Sequence, residues 1–287
     1  MNFKSASELI KLCEENNLKI SEVMINRECT EGETEKEEVL NKMHHSLDIM
    51  KESVHSAINE PKKSMGGLIG GQAKKLHDFE NSKVTACGNI IKRGIAYAMG
   101  VLEVNAQMGL IVAAPTAGSS GVIPGVLFTL QDEYGFTDEE LTSALFNCAA
   151  IGYLAMRNAT ISGAVGGCQA EIGMAAAMAA SAAVELLGGT ARQSLDASST
   201  VLMNMLGLVC DPVSGLVEYP CQNRNAAGVS NALTAAEMSL SGIKQLIPFD
   251  EMLDIMYKVG RGLPRELRET ALGGCALAES ICKECLK

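Results

Sequence analysis

The chain has 287 residues, of which 47% are hydrophobic, 4% aromatic and 20% charged, and its formal net charge is −10. An acidic chain lacks the basic surface that nucleic-acid binding requires, so we expect no nucleic-acid partner. Because tryptophan is absent and methionine occurs 15 times, the core must be built from aliphatic side chains and methionine, which favours closely packed helices.

The N-terminal third begins with two helix-start patterns. Ser5 is followed by Glu8, and Thr34 by Glu37, and each pair predicts a capping box ahead of apolar residues at helical spacing. The first residues after Met1 contain no apolar run typical of an export signal. The sequence therefore predicts a cytoplasmic protein.

A change in composition near Ser64 suggests two regions. Residues 1–63 form a polar helical segment, and residues 64–287 are richer in glycine. We expect the segment to pack on the larger region, giving one continuous domain over residues 1–287. The glycine-rich stretch Ser64–Gly71 matches neither a dinucleotide fingerprint nor a Walker loop. It is either a flexible joint or a backbone loop that lines a site.

From Ile90 onward the chain is typical of helices joined by glycine-rich breaks. Period-two alternation is scarce, so we predict a mainly α fold with glycine-rich interhelical loops and little sheet. The predicted helices are one starting at Thr137, a buried Ala- and Met-rich helix over Ile172–Leu187, and others over Asn231–Leu240, Asp250–Val259 and from Pro264 to Gly273.

The stretch Val104–Gln131 carries no charge and is long enough to cross a bilayer. Pro115 and Pro124 interrupt it, together with several glycine, serine and threonine residues. We therefore predict a buried functional loop between helices and no membrane association.

Three cysteines lie in short stretches rich in Gly, Pro or Asn. Cys168 follows Gly-Gly, Cys210 precedes Asp-Pro, and Cys221 follows Pro. Such residues let the backbone turn and bring amides towards thiolates. Three thiolates from separate turns can hold a [4Fe–4S] cluster and leave the fourth iron open as a Lewis acid. On composition alone, three ordinary buried cysteines remain an equally good interpretation.

A second candidate site is the loop between Pro115 and Gly121, where small residues and hydroxyls are crowded together. The candidate substrate-binding residues are Pro115, Thr116, Ala117, Gly118, Ser119, Ser120 and Gly121. Backbone N–H groups and hydroxyls of this loop can bind one carboxylate, and a helix starting near Val122 would add a favourable dipole. The alternative is a tight interhelical turn.

Charged residues near these motifs give further candidates. Arg224, three residues after Cys221, can pair with a substrate carboxylate or with the negative charge of a cluster. For a general base the sequence offers only His77, His55 and Lys74, each of which is as readily a surface residue.

The four motifs resemble one known family. Residues 165–173, 210–216, 220–226 and 113–125 are similar, in the same order, to motifs of the iron–sulfur-dependent bacterial L-serine dehydratases. The resemblance is to their α-subunit, or to the C-terminal catalytic half of single-chain members, and it covers residues 64–274.

The resemblance implies a [4Fe–4S] cluster bound by Cys168, Cys210 and Cys221 and conversion of L-serine to pyruvate and ammonia through aminoacrylate, without pyridoxal phosphate. It also implies a separate β-subunit as partner. Some single-chain relatives place a C-terminal cysteine on the open iron, and Cys282, followed by Cys285, is the nearest counterpart here.

Three other classes of function remain open from the sequence. A related iron–sulfur lyase would act on L-cysteine and release sulfide instead of water. A non-catalytic cluster protein would sense oxygen or iron. A metal-free helical interaction protein is disfavoured, because glycine-rich buried loops cost stability without a function there.

Overall fold

In the computed structural model, which describes residues 1–79 and 84–280, the chain is mainly α-helical. Its helices are α1 Ala6–Asn16, α2 Ile20–Glu31, α3 Lys36–Asn59, α4 Gln72–Asp78, α5 Gly88–Ala106, α6 Val122–Tyr134, α7 Asp138–Asn158, α8 Gly163–Gly166, α9 Met174–Leu186, α10 Ala191–Asn204, α11 Cys221–Leu240 and α12 Phe249–Gly262. Within the described residues there is no sheet, and an isolated parallel bridge joins Cys210 to Arg268. The predicted mainly α fold is confirmed.

Two of the predicted helix starts have a side-chain cap. The Ser5 hydroxyl accepts a hydrogen bond from the Glu8 backbone N–H at the start of α1. The Glu8 carboxylate accepts from Lys4 N–H instead of Ser5 N–H, so only half of the predicted capping box forms. Thr137 and Glu140 form a reciprocal capping box at the start of α7. The box predicted at Thr34 is wrong, because α3 begins one residue later and the Thr34 hydroxyl donates to the Gly32 carbonyl.

Helix α9 lies at the centre of the fold and confirms the predicted buried helix. Every residue from Met174 to Glu185 is buried, and the helix packs against α6, α7, α10 and α11. Small alanine side chains let these neighbours approach closely, since little side-chain volume separates the helix axes. A π-helical turn, Gln169–Gly173, leads into α9 and carries the chain from Cys168 into the core.

The N-terminal helices share the core of the larger region. Leu9 of α1, Val23 of α2 and Leu47 of α3 are buried in the same apolar cluster as the alanines of α9. Burial of each such side chain contributes roughly 1.5–3 kcal/mol, so these helices stabilise the part of the chain that carries the motifs.

The C-terminal part differs from the prediction. The helix expected after Pro264 is wrong: a three-residue 3₁₀ turn, Arg265–Leu267, follows instead. Glu269 and Ala271 have positive φ values of 65° and 54°, which no α-helix accommodates. The backbone of this segment bonds to Cys210 instead, through Cys210 N–H to Leu267 O and Glu269 N–H to Cys210 O.

The uncharged stretch from Val104 to Gln131 is divided between the end of α5, a loop and the start of α6. None of the helices in the described part of the chain combines the length and apolarity needed to span a membrane.

Candidate active site

The three motif cysteines converge from distant parts of the chain. Cys168, Cys210 and Cys221 are 2%, 3% and 6% exposed. The Sγ atoms of Cys168 and Cys210 and a carboxylate oxygen of Glu171 all lie within 4.8 Å of one another. Cys221 is not part of this group of three, but Arg224, in the same first turn of α11, donates to Cys168 Sγ. This cluster combines thiols and a carboxylate, which are metal-binding groups.

Cys168 is positioned by a backbone turn that requires glycine. Gly167, directly before it, has φ 75°, and a Cβ there would lie 2.7 Å from the Leu208 carbonyl oxygen. Gln169 N–H donates to the same carbonyl oxygen. The Gly-Gly pair singled out in the sequence therefore lets the chain pass close to the segment that leads to Cys210.

Gly163 lets two side chains of the site pack closely against its backbone. A Cβ at Gly163 would overlap the Glu171 carboxylate and would lie 3.2 Å from Cys210 Sγ. Any larger residue would displace the Glu171 carboxylate. The glycine thus allows this carboxylate to lie beside the Cys210 thiol.

The pKa values of the Cys168 and Cys210 thiols are shifted in opposite directions. The Cys210 thiol hydrogen-bonds to the Cys168 sulfur, and this bond, with the nearby Arg224 guanidinium, lowers the pKa of Cys168 although burial opposes the shift. The same bond, together with burial, raises the pKa of Cys210. Burial raises the pKa of Cys221 to about 12. In the metal-free chain Cys168 is therefore the first of the three to become a thiolate.

Arg224 contacts the cysteine side of the site. Its Nη1 donates to Cys168 Sγ at 3.5 Å and to the Val209 carbonyl oxygen at 2.8 Å. Its Nη2 lies 2.7 Å from Oδ1 of Asp211, which is 2% exposed. Since the guanidinium is bound by these groups, the structure favours the second of its two predicted roles, balancing negative charge at the cysteines.

The loop from Pro115 to Gly121 lies against the same cluster. Thr116 Oγ1 donates to Glu171 Oε1 at 2.8 Å, while Cys210 Sγ lies 3.7 Å from Glu171 Oε2. Glu171 therefore joins the loop to the cysteines. Burial is the main cause of the raised pKa of Glu171.

Two serines of the loop point inward. Ser119 and Ser120 are fully buried. The Ser120 hydroxyl donates to the Ala117 carbonyl oxygen, and that of Ser119 bonds to Thr116. These hydroxyls stabilise the turn itself, so the loop offers a ligand its backbone and the Thr116 side chain rather than three hydroxyls. Helix α6 starts at Val122, as predicted.

Asn225 joins the loop to the third cysteine, and the sequence analysis missed it. Its Oδ1 accepts from Gly121 N–H at 3.0 Å, and its Nδ2 donates to the carbonyl oxygens of Gly118 and Cys221 at 2.8 and 2.9 Å. The first turn of α11 thus connects the cysteines and the loop. The signal was present in the run of amide side chains after Cys221, but nothing in it indicates which segments they contact.

The three candidate bases lie on α3 and α4. Lys74 pairs with Asp78 at 2.9 Å, and His77 is exposed. The His55 ring packs edge-on against Tyr97, and partial burial is the main cause of its lowered pKa. None of their contacts described in the structure reaches the cysteines or the loop.

The predicted tail ligand Cys282, and Cys285 beside it, lie outside the described residues. Among the described residues, Cys275 comes nearest to this role in sequence. Its backbone N–H donates to Asp211 Oδ2 at 2.6 Å, on the far side of the Arg224 ion pair.

Comparison with known proteins decides the family. Residues 15–276 match the family model described as serine dehydratase alpha chain. The chain belongs to this family. It is 47% identical over 274 residues to the probable L-serine dehydratase, alpha chain, of Bacillus subtilis, covering 96% of this chain and 91% of that protein.

Two further relatives show how this family is organised. The L-serine dehydratase, alpha chain, of Peptoniphilus asaccharolyticus is 42% identical, over 95% of this chain and 93% of that one. The L-serine dehydratase of Helicobacter pylori is 33% identical over 96% of this chain, but the match covers only 61% of the longer protein. The resemblance seen in the motifs is confirmed.

Proposed function

We propose that this chain is the catalytic α-subunit of an L-serine dehydratase and uses a [4Fe–4S] cluster bound by Cys168, Cys210 and Cys221. The observation that carries the proposal is the convergence of these buried thiols, Arg224 and the Pro115–Gly121 loop around the first turn of α11. The names of its nearly full-length relatives support the substrate.

The residues present suit such a cluster. The Sγ atoms of Cys168 and Cys210 lie within 4.8 Å of each other. Cys221 lies one turn before Arg224, which donates to Cys168 Sγ. The three free thiols come from three segments, so each can bind a different iron. Arg224 offsets negative charge at Cys168, and Gly163 allows the Glu171 carboxylate to lie beside Cys210. Glu171 is an oxygen donor in a set that otherwise consists of sulfur, so it is better suited to contact substrate than to bind a cluster iron.

The reaction is an elimination of water. L-serine loses its α-proton and its β-hydroxyl group, giving aminoacrylate and water. Hydrolysis of the imine tautomer of aminoacrylate then gives pyruvate and ammonia. When bound, the cluster would supply an open iron as a Lewis acid for the hydroxyl group.

The chain's own residues bind and orient the substrate. The loop from Pro115 to Gly121, which precedes the N-terminus of α6, binds the carboxylate, where the helix dipole favours negative charge. Glu171 fixes the Thr116 side chain beside it. Holding the carboxylate stabilises the negative charge that develops as the α-proton leaves. Asn225 holds the loop next to Cys221, because its Nδ2 donates to the carbonyl oxygens of both Gly118 and Cys221.

A β-subunit is part of this proposal. The relatives that match this chain along almost their whole length are named alpha chains, whereas the Helicobacter pylori protein is longer by more than a third of its length. We expect this chain to require a β-subunit as partner, as the name alpha chain implies for those relatives.

The test is anaerobic reconstitution of the chain with iron and sulfide, with and without its β-chain, followed by assays on L-serine and on L-cysteine. We expect a brown protein that forms pyruvate from serine. Sulfide release from cysteine with no turnover of serine would replace the dehydratase by a cysteine lyase. A brown protein inert to both substrates would indicate a sensor, and a colourless chain would refute the cluster.

A further inference from the structure

The glycine-rich segment Ser64–Gly71 is not explained by the site described above. Unlike a flexible joint, it is bound at both ends by buried carboxylates. Glu218 is 3% exposed and Glu103 is 0% exposed, and neither forms an ion pair within the described part of the chain. A buried carboxylate is stable only when its oxygens accept hydrogen bonds.

Glu218 binds the first half of the segment. Its Oε2 accepts from Ser64 Oγ at 2.6 Å and from Leu68 N–H at 3.0 Å, and its Oε1 accepts from Gly66 N–H at 2.6 Å. A Cβ at Gly66 would overlap the Leu216 side chain and would lie 2.7 Å from Glu218 Oε1, so the glycine lets both side chains lie close to the loop backbone. The loop therefore closes tightly on the residue that lies three positions before Cys221.

Glu103, in α5, binds the second half. Its Oε2 accepts from Gly71 N–H at 2.9 Å, and its Oε1 accepts from Ala73 N–H at 3.0 Å. The same Oε1 accepts from Nε2 of Gln222 at 2.9 Å. Gln222 directly follows Cys221, so both carboxylates connect the glycine-rich segment to the backbone on either side of that cysteine.

The turn Leu216–Glu218, which precedes Cys221, also contacts the Pro115–Gly121 loop. A Cβ at Gly118 would lie 3.4 Å from Cγ1 of Val217, the residue before Glu218. The turn Leu216–Glu218 thus lies between the glycine-rich segment and the Pro115–Gly121 loop. Metal ligands require support of this kind, because outer contacts orient the ligands themselves.

We propose that Glu103 and Glu218 are positioning residues that brace Cys221 through the glycine-rich segment, an inference that rests on the proposed function of Cys221. Replacing Glu218 by glutamine leaves one acceptor where two are needed and turns an NH₂ group towards backbone N–H donors. The loop and the turn then separate, and Cys221 loses its fixed place.

The first test measures the metal-free chain, so it does not depend on the cluster. We expect Glu218→Gln and Glu103→Gln to raise the rate of Cys221 alkylation at least about tenfold, by residue-resolved mass spectrometry, with Cys168 as the internal reference. Ser64→Ala and Gln222→Ala each remove one donor and should give smaller increases in a chain that still folds.

Glu185→Gln is the matched control. Glu185 is also buried and accepts from Asn147 Nδ2 at 2.8 Å and from Ser21 N–H, and neither donor belongs to the segments that carry Cys168, Cys210 and Cys221. It should lower thermal stability without changing Cys221 alkylation. An equal rise in Cys221 alkylation in this control would overturn the inference. So would unchanged Cys221 alkylation in all four variants Glu218→Gln, Glu103→Gln, Ser64→Ala and Gln222→Ala.

The second test measures cluster retention. Outer contacts of metal ligands typically contribute 10- to 100-fold in affinity, so we expect the two glutamine variants to lose iron about 10- to 100-fold faster than wild type and Glu185→Gln under a chelator. Wild-type retention in both glutamine variants contradicts the brace. A wild-type chain that binds no iron refutes the proposed function instead, and the alkylation result still decides the brace.

Discussion

Two groups of buried cysteines in this chain have similar exposure but different surroundings. Cys13 in α1 and Cys148 in α7 are 4% and 2% exposed, much like the three motif cysteines. Burial raises the pKa of Cys13 to about 12, the same direction and value as for Cys221. Burial and a raised pKa therefore do not distinguish Cys221 from a core cysteine.

Position in the fold and neighbouring side chains do distinguish the motif cysteines from the core cysteines. Cys13 and Cys148 lie within helices, and the Cys148 thiol donates to the Met178 carbonyl oxygen inside the core. The motif cysteines lie at the ends of elements, where three segments meet beside a guanidinium and a carboxylate. Convergence from separate segments, with a cation alongside, is what marks a site for an anionic metal group.

The largest effect should come from the cysteines themselves. Serine in place of Cys168, Cys210 or Cys221 removes a sulfur ligand, so each single variant should lose the brown colour. Its serine turnover should fall by more than the 10- to 100-fold that is typical when an outer contact of a metal ligand is removed. Visible absorbance and pyruvate formation after anaerobic reconstitution measure this. Full turnover in any one variant would remove that residue from the ligand set.

Cys148→Ala is the comparison for these variants. It removes a core thiol of similar burial, and we expect a loss of about 1 kcal/mol in the free energy of unfolding, as is usual for a small core truncation. Iron content and turnover should stay at the wild-type level. If iron content and turnover fell as far as in the serine variants, loss of any buried cysteine would have the same effect, and the position of the motif cysteines would not matter.

Arg224 gives the next largest effect. Arg224→Gln removes the cation beside Cys168 and leaves Asp211 buried without its partner, which costs about 3 kcal/mol in stability. We also expect about 10- to 100-fold faster loss of iron. Urea unfolding of the metal-free chain and chelator-driven iron loss measure the two effects.

The double variant Arg224→Gln, Asp211→Asn separates the effect on stability from the effect on iron loss. It removes the unpaired charge and should recover part of the stability, while iron loss stays fast. Recovery of both properties together would mean that Arg224 acts only through the stability of the fold.

The smallest effect tests the loop. Thr116→Val removes the hydrogen bond to Glu171, about 1 kcal/mol, so KM for serine should rise about fivefold while iron content is unchanged. Thr200→Val removes a comparable hydrogen bond, to the Asp196 carbonyl oxygen in α10, and should leave KM unchanged. A fall in iron content in Thr116→Val would place Thr116 in the support of the cysteines instead.

Local patterns in the sequence were enough for much of the fold. Ser5 with Glu8, and Thr137 with Glu140, mark helix starts through contacts three residues apart, and the apolar run of α9 indicates burial directly. The helix predicted after Pro264 failed because hydrogen bonds to Cys210, distant in sequence, determine that segment.

The candidate site was only partly predictable for the same reason. Thr116 meets Glu171 across 55 positions, and Gly66 meets Glu218 across 152. A carboxylate or amide in the sequence does not indicate which distant segment it will bind. Asn225, Glu171 and the two brace carboxylates therefore emerged only from the fold, whereas the cysteines were visible beforehand through their glycine and proline neighbours.

The most direct measurement of the central claim is the iron and acid-labile sulfide content of the anaerobically reconstituted chain, wild type beside the Cys168→Ser, Cys210→Ser, Cys221→Ser triple variant. A cluster of the proposed type predicts about four iron and four sulfide per wild-type chain and none in the triple variant. Equal iron and sulfide in both proteins, or none in either, would contradict the account.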